Sequence, residues 1–260
     1  MRRRHFLASA AGVGFAMPAL SALPKGHILE LRHYHLRNNS DQQMAGITAF
    51  LKTHALPASQ RAGVLTQGAF ANLIGGAGPF VILLNSYPSL AAMEASTQKL
   101  AEDKLFQKAL DEYYAKPGLS YVRVESTLLR GFDSMPAIEA PPLEVAEGKT
   151  HIFELRTYAS DDNATLRSKI KMFESGEIGI FKRLGMRPVF FGSAIAGANM
   201  PNLTYMLCYD NLAHREKVWQ SFGADTEWAK LRATPGWSDA EIVSGITNTM
   251  LRPLPFSPIR

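Results

Sequence analysis

Two short runs in the chain set an acid, a base and a phenol at alternate positions. Ile28-Leu29-Glu30-Leu31-Arg32-His33-Tyr34 carries Glu30, Arg32 and Tyr34 on one parity, and Ile152-Phe153-Glu154-Leu155-Arg156-Thr157-Tyr158 repeats the arrangement with Glu154, Arg156 and Tyr158. Alternate residues of a strand share a face. An arginine fork beside a tyrosine hydroxyl can hold a carboxylate, an enolate or a similar oxyanion. The same arginine can instead pair with the neighbouring glutamate and only set register. Arg32, Tyr34, Arg156 and Tyr158 are therefore candidate ligand-binding residues, and Glu30 and Glu154 are candidate structural ion-pair partners. His54, in a stretch of helical spacing, is a further ligand-binding candidate. It is read as a proton shuttle, a haem ligand or a plain helix-end histidine. His27, His33 and His35 fall on one strand parity, but no carboxylate or cysteine stands near them at ligand spacing, so no metal site is expected. Nothing in the chain assigns a catalytic residue, and no cofactor is expected, haem being the alternative.

The elements that must position these residues occur twice. The opening motif recurs at a shift of 124, and Arg61-Ala62-Gly63 recurs as Arg183-Leu184-Gly185 at a shift of 122. The shift of 122 persists through Pro79 and Pro201, Tyr87 and Tyr209, Phe106 and Trp228, and Thr127-Leu128-Leu129-Arg130 and Thr249-Met250-Leu251-Arg252. Each copy opens with an alternating strand (Ile28–His35; Ile152–Tyr158) and continues with a helix ended by Gly63 or Gly185. Two strands follow (Val64–Phe70 and Phe80–Tyr87; Arg187–Ile195 and Leu203–Tyr209). Ser89 and Asn211 then cap one long helix running to about Tyr114 or Arg232, and a strand closes the unit (Tyr121–Leu129; Ile242–Leu251). The order β-α-β-β-α-β is a ferredoxin-like unit. The expected fold is α+β: two tandem repeats, 27–134 and 150–258, joined by a linker at 135–149 and packed sheet to sheet as an α-β barrel with helices outside. Because Leu29, Leu31 and Leu155 form the more apolar parity, they are expected to face the helices. That would send the Glu-Arg-Tyr sets into the space between the sheets.

At Glu-Leu-Arg-x-Tyr and at the ending Met250-Leu251-Arg252-Pro253-Leu254-Pro255-Phe256-Ser257-Pro258, the sequence resembles the NIPSNAP family. The second copy is the closer match, through Tyr209-Asp210-Asn211-Leu212 and Trp228. In the first copy Gly131-Phe132 stands where Pro253-Leu254 would be expected. The resemblance implies the dimeric α-β barrel fold and a group that includes cofactor-free oxygenases, isomerases and haem proteins. For the family itself it implies no settled chemistry.

Composition bounds the function. The formal net charge of +5 includes Arg2, Arg3 and Arg4, without which it is +5 − 3 = +2. A body near +2 lacks the basic footprint of a nucleic-acid binder. Arg3-Arg4-His5-Phe6-Leu7 followed by an uncharged stretch to Leu23 reads as a twin-arginine signal peptide at 1–22, removed near Ser21–Ala22, which implies a periplasmic or secreted protein. That stretch holds Gly12, Gly14 and Pro18 and does not read as a membrane span, so the processed protein is not expected to cross a membrane. The lone Cys208 reads as a core residue. Two functions remain: a barrel that binds or transforms a small apolar or anionic molecule between its sheets, or a non-catalytic interaction protein with a packed barrel. A homodimer is compatible with either.

Overall fold

The computed structural model describes residues 25–38, 42–142 and 150–260. The signal peptide expected at 1–22 lies outside the described residues, as does 143–149 of the expected linker. In the first copy the elements are β1 (Ile28–His35), α1 (Gln43–Phe50), a π-helical turn (Leu51–Ala55), α2 (Leu56–Ala62), β2 (Gln67–Ile74), β3 (Phe80–Tyr87), α3 (Leu90–Glu102), α4 (Lys104–Tyr114) and β4 (Arg123–Gly131). The second copy has β5 (Ile152–Ala159), α5 (Asn163–Met172), a second π-helical turn (Phe173–Glu177), α6 (Ile178–Arg183), β6 (Arg187–Ala196), β7 (Asn202–Tyr209), α7 (Leu212–Gly223), α8 (Thr226–Arg232), the short α9 (Asp239–Ile242) and β8 (Gly245–Pro253).

The helix ends follow from local chemistry. Gly63 (φ 103°) and Gly185 (φ 87°) stop the first helix of each copy in the left-handed conformation that glycine tolerates. The side chains of Ser89 and Asn211 accept backbone N–H bonds at the start of α3 and α7. The long second helix expected in each copy is instead broken in two. Asp103 and Asp225 leave helical geometry, cap α4 and α8, and take ion pairs from Arg61 and Arg183. A capping aspartate that also pairs across the helix layer stabilises two short helices over one long one.

All strand pairs are antiparallel, and the eight strands close in the order β1-β3-β2-β8-β5-β7-β6-β4. The repeat is preserved in register: Leu29 faces Leu129 as Phe153 faces Leu251, and Glu30 faces Asn85 as Glu154 faces Leu207. The two sheets do more than stack. β2 hydrogen-bonds to β8 and β4 to β6, so every sheet edge is satisfied within one chain.

The interior is the reverse of the expected arrangement. Leu29, Leu31, Phe70, Phe80, Ile82, Leu129, Phe153, Phe190, Met206, Cys208 and Leu251 from both copies form one apolar cluster inside the barrel, with Leu155 packed against it. The Glu-Arg-Tyr parity points outward, under the helices. The barrel wall is buried on both faces, and the charges lie on the face where helix side chains supply donors and acceptors. Cys208 sits in this core, and burial pushes its thiol up to about 12. One barrel end is closed by Ile138 and Ile259, from the segments after β4 and β8. There the Ser257 hydroxyl accepts the Ala69 N–H and donates to the Ile259 carbonyl. The other end is open.

Candidate functional site

Two polar constellations are built on this frame, one outside the barrel wall and one at its open end. The outer one belongs to the second copy. Arg156 donates from Nε to the Tyr205 hydroxyl (2.8 Å), from Nη1 to Glu154 (2.8 Å) and from Nη2 to the Tyr158 hydroxyl (3.0 Å), with Trp219 stacked 4.5 Å from the guanidinium. Glu154 also accepts two bonds from Arg215 on α7 (2.7 and 3.0 Å), one from Tyr209 and one from the Trp219 indole. Burial alone would raise the Glu154 carboxyl, but the Arg215 hydrogen bond and the charges of Arg156 and Arg215 outweigh it and hold it below its ordinary value.

Beyond Arg156 the charges continue to alternate. Lys169 on α5 is wholly buried, 3.2 Å from Glu177 and 3.0 Å from Asp239, with the rings of Phe173, Tyr158 and Trp228 around its ammonium. Glu177 is fully enclosed, and burial pushes its carboxyl up to about 7 against the pull of Lys169. That value lies above the 4.5 of the unfolded chain, so the unfolded chain loses its proton first and stability falls as pH rises between the two. Lys169, raised above an ordinary value of 10.5, contributes a constant amount across the same window. Glu177→Gln is expected to flatten the profile, gaining up to about 3 kcal/mol on the wild type between pH 4.5 and 7. Urea midpoints at pH 4.5, 5.5 and 7 check it; parallel profiles would refute it.

In the first copy the matching positions are sparser. Arg32 pairs with Glu30 at 2.8 Å, and Glu30 also accepts from Asn85 and Tyr87, but the Arg32 side chain is 45% exposed. Met93 and Thr97 stand where the second copy has Arg215 and Trp219. Tyr34 packs among the helices, and burial raises its hydroxyl, opposed by Arg32. His54 lies in the first π-helical turn on the outer surface, in a shallow polar depression with Arg61, Lys108 and Glu112. It does not face the barrel interior; Leu105, Phe106 and Ala109 line the same depression beside those charges. Arg32, Tyr34, Arg156 and Tyr158 likewise lie outside the cavity between the sheets, the place expected for them.

The open end of the barrel carries the second constellation. A cavity of about 350 Å³ has an apolar floor of Leu31, Phe80, Ile82 and Leu155. Thr127, Thr157, Thr204, Thr247 and Thr249 ring it, and Thr157 and Thr204 share a hydrogen bond at 2.9 Å. His33 and Glu125 complete the lining on the first-copy side; Thr157 and Thr247 occupy the matching places on the other. Glu125 was invisible as a partner in the sequence because β4 brings it beside β1 only through pairing, where it faces His33. The expectation that no carboxylate joins the strand histidines is thereby overturned. His27 lies at the other end of β1, beside Ser86. His33 Nε2 is buried with no hydrogen-bond partner among the described residues, and burial, then His35, lowers this imidazole to about 4. At neutral pH it is uncharged.

The comparisons with known proteins meet this geometry at the repeat. The NIPSNAP family profile matches residues 29–133 and 153–258. The chain belongs to the NIPSNAP family. Among solved structures, the barrel is similar to a protein provisionally called a monooxygenase from Fusobacterium nucleatum (TM-score 0.58, 8% identity, covering 88% of this chain and 93% of that one). A Lactobacillus acidophilus protein with the same provisional description gives a TM-score of 0.56 at 9% identity, covering 88% and 94%. An anthrone oxidase-like protein gives 0.50 at 8% identity, covering 88% and 91%. At such identities the likeness is one of fold. No curated protein matches the sequence. Among the described residues of this NIPSNAP chain, no helix is long and apolar enough to cross a membrane.

Proposed function

We propose that this NIPSNAP protein binds a small, largely apolar and uncharged molecule in the open end of its barrel. The observation that carries the reading is the cavity itself, with an apolar floor of Leu31, Phe80, Ile82 and Leu155 beneath a ring of threonines. A preformed concave site with few polar groups is what a small-molecule pocket requires. Among the described residues, no arginine or lysine lines it. The anionic ligand suggested by Arg32 and Arg156 has no support inside the cavity, since Arg156 is held by Glu154, Tyr205 and Tyr158 and Arg32 pairs with Glu30 on the outer face of the wall. The strand order within each copy supports reading it as a ferredoxin-like unit. We read residues 1–22 as a twin-arginine signal, on Arg3-Arg4 and the uncharged stretch behind them, which would place the binding site in the periplasm or outside the cell.

The second reading, a non-catalytic interaction protein, rests on the packed interior below the cavity, where Phe70, Phe153 and Phe190 leave the barrel centre filled. One variant separates the two. Leu155→Trp fills the cavity floor from the side opposite His33. Nile red, a neutral apolar dye, is expected to bind the wild type with one-to-one stoichiometry and the variant at least about tenfold more weakly, a difference of about 1.4 kcal/mol, at an unchanged melting temperature. Equal fluorescence titrations of the two proteins would remove the cavity reading.

A further inference from the structure

We propose that His33, His35 and Glu125 form a binding site for a divalent first-row transition-metal ion at the rim of the barrel cavity. One ligand atom from each of the three lies within 4.8 Å of the other two. Two imidazoles and a carboxylate are a donor set that suits zinc, iron, cobalt or nickel in the divalent state. Three protein ligands leave further coordination positions open, and two of the three, His33 and Glu125, line the cavity. The inference rests on the cavity being a binding site, since it places the ion at the cavity edge.

Three observations point to a ligand and away from a packing role. First, the Nε2 atoms of both His33 and His35 are buried without a hydrogen-bond partner. His35 Nε2 comes within 3.2 Å of Glu125 Oε2 but not in hydrogen-bonding geometry. Buried polar atoms left unpaired are costly unless something else satisfies them. Second, the barrel does not need these side chains. The repeat places Thr157, Ala159 and Thr247 at the equivalent points of the second copy, and β5 and β8 pair there in the same register as β1 and β4. Third, the carboxylate is already oriented. Arg123 donates to Glu125 Oε1 at 2.7 Å, which leaves Oε2 turned toward His35. An outer partner that fixes a ligating carboxylate is a regular feature of metal sites. The two imidazoles stack at 4.1 Å with their planes 12° apart, so coordination by both turns one ring out of the stack.

The experiment uses the untagged, purified protein after dialysis against a chelator. Calorimetric titration with Zn²⁺ and visible absorption with Co²⁺ are expected to show one equivalent bound. Glu125→Gln, at an exposed side chain that the fold can spare, and His33→Gln should each weaken Zn²⁺ binding by more than about 100-fold. His214→Gln, in the separate cluster of buried His151 with His214 and Asp210, should leave it unchanged. Absence of uptake by the wild type overturns the proposal. So does uptake that survives Glu125→Gln and His33→Gln, or uptake that His214→Gln abolishes. Leu155→Trp distinguishes the two levels of inference: it should weaken Nile red binding at least about tenfold and retain the metal. Loss of metal binding in Glu125→Gln with dye binding intact would confirm the ion site as separable from the cavity. Dye binding by a wild type that takes up no metal would overturn the ion site alone.

Discussion

Glu154→Leu is expected to destabilise the protein by about 3–5 kcal/mol, because it strands Arg156 as a buried cation. For a chain of this size that is a fall of about 6–20 °C in melting temperature. Arg156 is 7% exposed and, among the described residues, reaches no other carboxylate directly, whereas Arg215 stands at the edge and can turn to water. The Tyr209 hydroxyl and the Trp219 indole also lose the carboxylate they share, although they keep a bond to each other at 2.9 Å. Arg156→Met should cost less, about 1–3 kcal/mol, since Glu154 keeps two bonds from Arg215 and those from Tyr209 and Trp219. The double variant should recover much of the loss from Glu154→Leu. In the first copy, Glu30→Leu should cost less than Glu154→Leu, because Arg32 is already half in solvent. Urea denaturation of the four variants decides this. An unchanged midpoint for Arg156→Met would mean that this arginine is not part of the scaffold.

Lys169→Met should be the second large loss, about 3 kcal/mol or more at pH 8. Methionine fills the space between the Tyr158, Phe173 and Trp228 rings, but it leaves Glu177 enclosed with no cation at hydrogen-bonding distance. The enclosed carboxyl escapes its charge by holding a proton. The penalty should therefore shrink as pH falls toward 5, because its folded-state value, already about 7 beside Lys169, rises further without it. Paired thermal melts of Lys169→Met and wild type at pH 5 and pH 8 test the sign. A penalty that stays constant with pH would show that Lys169 acts through packing and not through Glu177.

Much of the architecture could be read without coordinates. β1 and β3 occupy the residues expected of them, the glycines at 63 and 185 end their helices, and the two-copy register follows the shifts of 124 and 122. These are local matters: backbone conformation at a glycine, a capping side chain, a period of two. The break at Asp103 and Asp225 was also written locally, as an aspartate ahead of an amphipathic run, but helical spacing continues across it and hides it.

What the sequence by itself determined, then, is the repeat, its element order and which residues share a strand face. It left open which face is inside. On a strand with one wet face, polarity settles the matter; here both faces of the barrel wall are buried, and a Glu-Arg-Tyr row is compatible with either. The choice was made by residues far along the chain, as Arg215 and Trp219 arrive on α7 to satisfy Glu154. The same holds at the cavity rim. His33 and His35 are neighbours by strand parity, but Glu125 reaches them only because β4 hydrogen-bonds to β1, and that pairing belongs to the folded sheet and to no local spacing. Burial and long-range pairing set the energy of a charged side chain, so only the tertiary structure could say that Arg156 packs under Trp219 of α7 while His33 opens onto the cavity.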